Sequence, residues 1–229
     1  MKKKISKKYK NLTKPNKDYK ASLISEVLPK VIDNCTAKFD ESIDISLLLN
    51  LKKKKEEFSL RTVVNLPNGN GKKIKVAVLC EDAKLNEAKE SGAEISGSEN
   101  LVNEIISGKI NFDKLIATPG MMSKMGKLGK ILGPKGLMPN PKLGTVTNNI
   151  KDAVKALKTG QIEIKNDKDG NVAASIGKKT FASNKIIENF NSLVQTILKE
   201  KPTAIKGNFI LSAFITSSMG VSYKLKLEK

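Results

Sequence analysis

The stretch Lys73–Cys80 reads KIKVAVLC, and from Val76 onward every side chain in it is apolar. A strand with one face in water alternates apolar and polar residues. This one does not, so it predicts a strand covered on both faces, as in a parallel sheet with crossover helices on either side. The residues that follow supply such crossovers. EDAKLNEAKESG predicts a short helix ended by Gly92, AEIS a strand, SENLVNEIISG a helix ended at Gly108, and Asp113–Thr118 (DKLIAT) a strand. NNIKDAVKALKTG predicts one more helix, closed by Gly160. Strand and helix alternating at this short spacing predict a small parallel α/β unit.

The flanks read differently. Residues 1–20 hold nine Lys and one Asp, a basic arm expected to stay mobile until it meets a partner. Ile24, Val27, Leu28, Val31 and Ile32 then fall at helical spacing, with Ser22 as N-cap and Pro29 expected to kink or shorten the helix. Ala37–Leu49 (AKFDESIDISLLL) alternates: Phe39, Ile43, Ile45 and Leu47 point one way, and Asp40, Ser42, Asp44 and Ser46 the other. That pattern predicts a strand with one solvated face. Lys52–Glu57 is an exposed connection, Arg61–Leu66 a second strand, and PNGNG ends it.

After Gly160, QIEIKN and NVAASIG predict a hairpin around DKDG. SNKIIENFNSLVQTILK is an amphipathic helix with Ile186, Ile187, Phe190, Leu193, Val194, Ile197 and Leu198 on its apolar side, and KGNFILSAFIT is a last strand. Neither flank makes a sheet alone, so the two are expected to pair into one domain. The expected fold class is α/β in two domains. Residues 1–66 and 160–229 form a discontinuous α+β domain of split β-α-β kind. Residues 67–159 form an inserted Rossmann-like, three-layer α/β domain.

The chain has 229 residues and a net charge of +19, which points to a polyanion, nucleic acid before anionic membrane. The only Arg is Arg61, so phosphates would be gripped by lysine point charges rather than by bidentate forks. With no His, Ser-His-Asp and Cys-His catalysis, HExxH zinc sites and histidine bases are excluded. Nothing calls for a cofactor or a metal. Cys35 and Cys80 stand alone, without CxxC, which fits a reducing compartment. MKKKISKKYK resembles the n-region of a signal peptide, but no apolar h-region follows, and no run is long enough to span a membrane. The charge is uneven: residues 1–66 and 150–229 together carry +15, and 67–149 carry +4.

Gly126–Val146, GKLGKILGPKGLMPNPKLGTV, holds four Lys, five Gly and three Pro and no carboxylate. Glycine permits close backbone approach and positive φ, while proline limits floppiness. Such a loop suits a phosphate backbone, and equally a structural crossover with solvated lysines. It contains no GxxxxGK[ST] and is not a Walker loop; Gly69-Asn70-Gly71 precedes a strand and reads as a turn. Lys165 and Lys168 flank a turn whose bland reading is solvation. Thr216–Gly220, TSSMG, is small and hydroxyl-rich; it could meet ribose hydroxyls or simply end a strand.

Taken together, these segments resemble the universal large-subunit ribosomal protein L-one family, the stalk protein beside the tRNA exit site. AKFDESID, RTVVNLPNG, GAEISGSENL, INFDKLIATP, the Gly126–Val146 loop, AVKALKTGQIEIKNDKDGNV, IGK, KPTAIKG and TSSMG occur in the family's order and spacing. The resemblance covers nearly the whole chain. It implies a discontinuous first domain with a Rossmann-like insertion, no enzymatic activity, and residence on the cytoplasmic ribosome. It implies binding to 23S rRNA at the mobile stalk, release of exit-site tRNA, and repression of its own operon's mRNA, by a protein that is monomeric when free and meets no membrane.

The family's RNA contact carries over to Lys38, Phe39, Ser42 (often Thr), Arg61, Lys165 (more usually Arg), Lys168, Ser212, Thr216, Ser217, Ser218, Met219 and Gly220. Thr62 stands where the family usually has Gly, and Phe214 where Ser, Thr, Val or Tyr is more common. A secondary contact falls on Lys127, Lys130, Gly133, Lys135 and Gly136. The expected mechanism gives phosphate neutralisation to the lysines and specificity to the flat Ser212 and Ser218–Gly220 surface. Two other readings compete: a non-specific basic nucleic-acid binder, and a nucleotide-dependent enzyme built on the inserted domain.

Overall fold

The computed structural model describes residues 7–13, 20–51, 60–203, 205 and 207–227. The described chain forms two compact units, Met1–Gly71 with Ile162–Lys229, and Lys72–Gln161. They part a few residues later than the sequence suggests, because residues 68–69 are held by the first unit. There the Asn68 amide donates to Asn189 Oδ1 at 3.1 Å, and Asn189 Nδ2 donates to the Gly69 carbonyl at 2.8 Å.

In the first unit a helix α1 (Lys7–Thr13) comes first, followed by α2 (Ile24–Asp33). The sheet strands are β1 (Ser42–Leu49), β7 (Asn171–Lys178), β8 (Ile210–Ser217) and β9 (Tyr223–Leu225), ordered β7-β1-β8-β9 and antiparallel throughout. β1 is central. Ile43, Ile45, Leu47 and Leu49 are at most 2% exposed, and they pack with Val172, Ile176, Ala213 and Ile215 of the neighbouring strands. Two helices cover that face. α2 contributes Val27, Leu28 and Val31, and α8 (Ser183–Lys199) contributes Ile186, Phe190, Leu193 and Ile197, one residue per turn of its stripe. The other sheet face, among the described residues, carries Ser42, Asp44 and Ser46 of β1, half-buried or exposed.

Several local expectations are corrected. The first strand begins at Ser42, not Ala37, and Phe39 lies before it, 57% exposed. Ser22 does not cap α2; it bridges Leu225, and Leu23 takes the N-cap position without a side-chain bond. α2 runs through Pro29 to Asp33: Ser25 and Pro29 are both exposed, so the carbonyl that lost its donor faces water. The expected hairpin divides. β6 (Gln161–Lys165) pairs with β2 (Arg61–Asn65) in a two-stranded sheet, β7 joins the large sheet, and an isolated Asn166–Val172 bridge with the Asp167–Asn171 turn bonds links them. On α8, Leu198 is exposed rather than packed, and Ile187 and Val194 are half-buried. Of the basic arm, 1–6 and 14–19 lie outside the described residues and 7–13 is helical; the connection at 52–57 is also outside them.

The second unit is a parallel three-stranded sheet, β4 (Ile95–Gly97), β3 (Val76–Leu79) and β5 (Lys114–Ala117), in the order β4-β3-β5. Alternation along β3 explains its unbroken apolar run. Val76, Val78 and Cys80 pack with Ala88 of α3 (Leu85–Glu90) and with Ile150, Val154 and Leu157 of α7 (Ile150–Thr159). Ala77 and Leu79 face the other way, against Leu101, Val102 and Ile105 of α4 (Glu99–Ile106). On that side lie also Met125 of α5 (Met122–Met125), Leu128, and Leu132 of α6 (Gly129–Leu132). The result is the three-layer arrangement that a doubly covered strand requires.

Candidate nucleic-acid interface

The open face of the large sheet follows from strand alternation. Ser42, Asp44 and Ser46 of β1 stand opposite the buried Ile43, Ile45 and Leu47. The register sets Ser212, Phe214 and Thr216 of β8 across from Leu48, Ser46 and Asp44. On the other flank, β7 sets Ala173 and Ser175 across from Ser46 and Asp44. The face is flat and hydroxyl-rich, with Phe214 half-buried on it. Ser217 is one residue out of phase. It points to the core, 3% exposed, so its side chain is not offered to a partner.

At the Ser42 end of the sheet two segments distant in sequence meet. The Ser218 amide donates to the Ser42 carbonyl at 3.1 Å, and the Ser42 amide donates to Ser218 Oγ at 3.1 Å. Beneath them lies Glu41, fully buried. Its Oε1 accepts from the Ala37 amide at 2.8 Å and its Oε2 from the Met219 amide at 3.2 Å, one oxygen for each segment. The Lys179 amide donates to the Glu41 carbonyl at 2.9 Å, and Lys179 Nζ donates to the Cys35 carbonyl at 2.9 Å, tying in a third segment. Burial pushes the Glu41 carboxyl up, but the Ala37 and Met219 amides, the Ser217 hydroxyl and the Lys179 charge outweigh it and hold the group below its ordinary value. The carboxylate is therefore a clamp that works ionised. Gly220 completes the turn by close approach, since a Cβ there would lie 2.3 Å from Ser217 Oγ. Lys38, Phe39 and Met219 project from the clamped segments; Phe39 and Met219 are 57% and 59% exposed, unusual for side chains so apolar.

Not all expected residues gather there. The turn carrying Lys168 sits at the far end of β1, where the Leu49 amide donates to the Gly170 carbonyl at 2.9 Å. Seven strand steps separate the two ends, about 23 Å. That turn is built by Asp167: Oδ1 accepts from the Asp169 and Asn171 amides at 3.0 and 2.7 Å, leaving Lys165 and Lys168 exposed. The Asn171 side chain and amide, with the other turn amides, lower the Asp167 pKa. Arg61 lies on the two-stranded sheet, and its Nε donates to Glu163 Oε1 at 2.8 Å.

In the second unit, Lys127, Lys130, Lys135 and Lys142 are all exposed. The segment is not the glycine-kinked loop its composition suggests. Gly126, Gly129 and Gly133 have helical φ of −55°, −57° and −57°, and only Gly136 and Gly144 are left-handed, at +67° and +69°. Leu128 and Leu132 are fully buried and Leu143 is 6% exposed, so the lysines ride on a segment pinned to the core.

Glu41 is the residue that sequence reasoning missed. One signal was present: it shares the parity of Phe39 and Ile43, so it is an acid on the apolar side of an alternating stretch. Its partner at Met219 could not be read without the fold.

A basic chain whose sheet face joins small hydroxyls to exposed lysines belongs, by its surface, with the RNA-binding proteins. Residues 31–221 match the model of the ribosomal protein L1p/L10e family. The chain is 57% identical over 225 residues to the large ribosomal subunit protein uL1 of Pelagibacter ubique (strain HTCC1062), covering 98% of each chain. It is 45% identical over 190 residues to that of Rickettsia akari (strain Hartford), covering 83% of this chain and 80% of the relative. It is 46% identical over 204 residues to that of Prochlorococcus marinus (strain NATL1A), covering 89% and 87%. The chain belongs to the ribosomal protein L1p/L10e family, one of ribosomal proteins rather than of enzymes. Among the described residues no helix is long and apolar enough to cross a membrane.

Proposed function

We propose that this chain is a constituent of the large subunit of the cytoplasmic ribosome. In this reading it binds 23S rRNA at the mobile stalk, assists release of exit-site tRNA, and represses its own operon by binding that operon's mRNA. The observation that carries the reading is the Glu41 clamp. It fixes Lys38, Phe39, Ser42, Ser218, Met219 and Gly220 as one surface on an open sheet face. Lysines at both ends of β1 neutralise phosphates along the strip of about 23 Å, comparable to the width of an RNA duplex. The flat hydroxyl surface between them reads RNA shape and ribose hydroxyls. Lys127, Lys130 and Lys135 give the second unit a separate electrostatic contact. Free in solution, the protein is a monomer.

The test is binding to a stalk-region ribosomal RNA hairpin across a salt series, for the wild type and for the double variant Ser218→Ala/Met219→Ala. The variant is expected to lose about 1–3 kcal/mol with an unchanged salt slope, because it removes specificity contacts and no cation. Equal competition by random RNA, with the variant binding as well as wild type, would return the chain to the class of non-specific polycations.

A further inference from the structure

Resting on the RNA-binding reading above, one residue of the open face has no role in it. Asp44 stands on β1, the central strand, between Ser42 and Ser46 on the side away from the helices. It is half-buried, and among the described residues its carboxylate has neither an ion pair nor a hydrogen bond. Its cross-strand neighbours do not satisfy it: the Thr216 hydroxyl donates to the Ser217 carbonyl at 3.1 Å, and the Ser175 hydroxyl is buried without a partner. Four other acids of the first unit contrast with it, whereas Glu26 and Asp33 of α2 are simply exposed to solvent. Glu41 is saturated by amides, Asp40 pairs with Lys178 and accepts from Thr180, Glu163 holds Arg61, and Asp167 holds its turn.

An unpartnered anion at the centre of a surface that receives a polyanion is repulsive, unless donors of that polyanion reach it. Phosphate offers no donor. Ribose 2′-hydroxyls and the N–H edges of bases do, and a carboxylate accepts from them in charge-assisted bonds. Ser42 and Ser46 along the strand and Ser175 and Thr216 across from it are small, and with Phe214 on one diagonal they leave the carboxylate half-exposed to such groups. We propose that Asp44 is a specificity-determining residue of the RNA surface. Its carboxylate accepts a hydrogen bond from an RNA donor, either a 2′-hydroxyl or a guanine amino group. It thereby rejects strands that present only phosphates and acceptors.

The experiment compares the full-length wild type, Asp44→Asn and Asp44→Ala, each checked for an unchanged circular dichroism melt. Four versions of one stalk hairpin are used: RNA, its all-deoxy form, RNA with inosine for guanosine at unpaired positions, and a scrambled RNA. In Asp44→Ala the preference for RNA over a donor-deleted version is expected to fall about tenfold, and in Asp44→Asn, which keeps one acceptor oxygen but loses the charge, by a smaller factor, while binding to the donor-deleted version holds or improves. Loss of the RNA-over-deoxy preference assigns the 2′-hydroxyl; loss of the guanosine-over-inosine preference assigns the base. If both variants bind all four strands tighter by one common factor, or bind as wild type does, Asp44 is no reader and the proposal falls. If wild type does not distinguish the hairpin from its scrambled form, the RNA-binding reading falls first and this inference with it.

Discussion

Replacing Glu41 by Gln keeps the side-chain volume and removes the charge. The carboxylate accepts from Ala37 on one oxygen and from Met219 on the other, at 2.8 and 3.2 Å. An amide can accept on one side only, so on the other an NH2 meets an N–H. Hydrogen bonds to a charged group contribute about 1.5–3 kcal/mol each, and a donor left unsatisfied costs about 1–3 kcal/mol. The Met219 bond is the longer and lies beside an exposed side chain, so water partly replaces it. The expected loss is about 2–3 kcal/mol for Glu41→Gln and somewhat more for Glu41→Ala. Urea unfolding followed by far-ultraviolet circular dichroism measures it. The pH dependence is fixed in sign. The folded group lies below its unfolded pKa, so its contribution is complete above the ordinary glutamate value, about 4.3, and is lost as pH falls through the folded pKa. Wild type should therefore lose stability on acidification below about pH 4.5 more steeply than Glu41→Gln. Stalk-hairpin affinity at neutral pH should fall at least tenfold in the variant while it remains folded. A Glu41→Gln protein within about 0.5 kcal/mol of wild type, with unchanged RNA affinity, would refute the clamp.

Asn189 is fully buried on α8 and accepts from the Asn68 amide while donating to the Gly69 and Ile176 carbonyls, so Asn189→Ala strands one buried and two half-buried polar groups. It should cost about 2–4 kcal/mol, read as a lower urea midpoint. The triple change Lys127→Gln/Lys130→Gln/Lys135→Gln touches only exposed side chains and should leave stability within about 0.5 kcal/mol. If all three meet phosphate, the log–log salt slope of binding to a ribosomal RNA fragment that reaches both units falls by about two to three; an unchanged slope removes the secondary contact.

The parts of this fold legible in the sequence are those governed by local periodicity. KIKVAVLC announced a strand covered twice, and Val76, Val78 and Cys80 do pack to one side with Ala77 and Leu79 to the other. The β1 alternation was legible for the same reason, and with it the open face carrying Ser42, Asp44 and Ser46. What stayed hidden depends on partners far away in the chain. QIEIKN and NVAASIG look like one hairpin because their turn chemistry is sound. They separate because each strand has a better partner than the other: β2 for β6, and the central β1 for β7. Ser22 has the chemistry of a cap, yet the edge of β9 takes its backbone first, with the Lys226 amide donating to the Ser22 carbonyl at 2.9 Å.

The same distinction separates residues that touch a partner from residues that hold the surface. Motif matching finds Lys38, Phe39 and Ser218–Gly220 because such contacts lie in short runs. It passes over Glu41, whose work is to join two runs 178 residues apart. A surface assembled this way needs an internal tie, because the large apolar side chains of the bend at 37–39 and of the turn after β8, Phe39 and Met219, point to solvent rather than into the core. A buried carboxylate suits the task. It accepts from two amides at once, is silent toward solvent, and hides its charge from the polyanion above by saturating both oxygens. Asp44, three residues on and within β1, is the opposite case, an acid left unsaturated at the face. Two carboxylates so close in sequence and so different in saturation cannot both be generic surface charge. Neutralising each separates the roles: Glu41→Gln should lower stability and stalk-hairpin affinity together, and Asp44→Asn should alter the ranking among RNAs at unchanged stability.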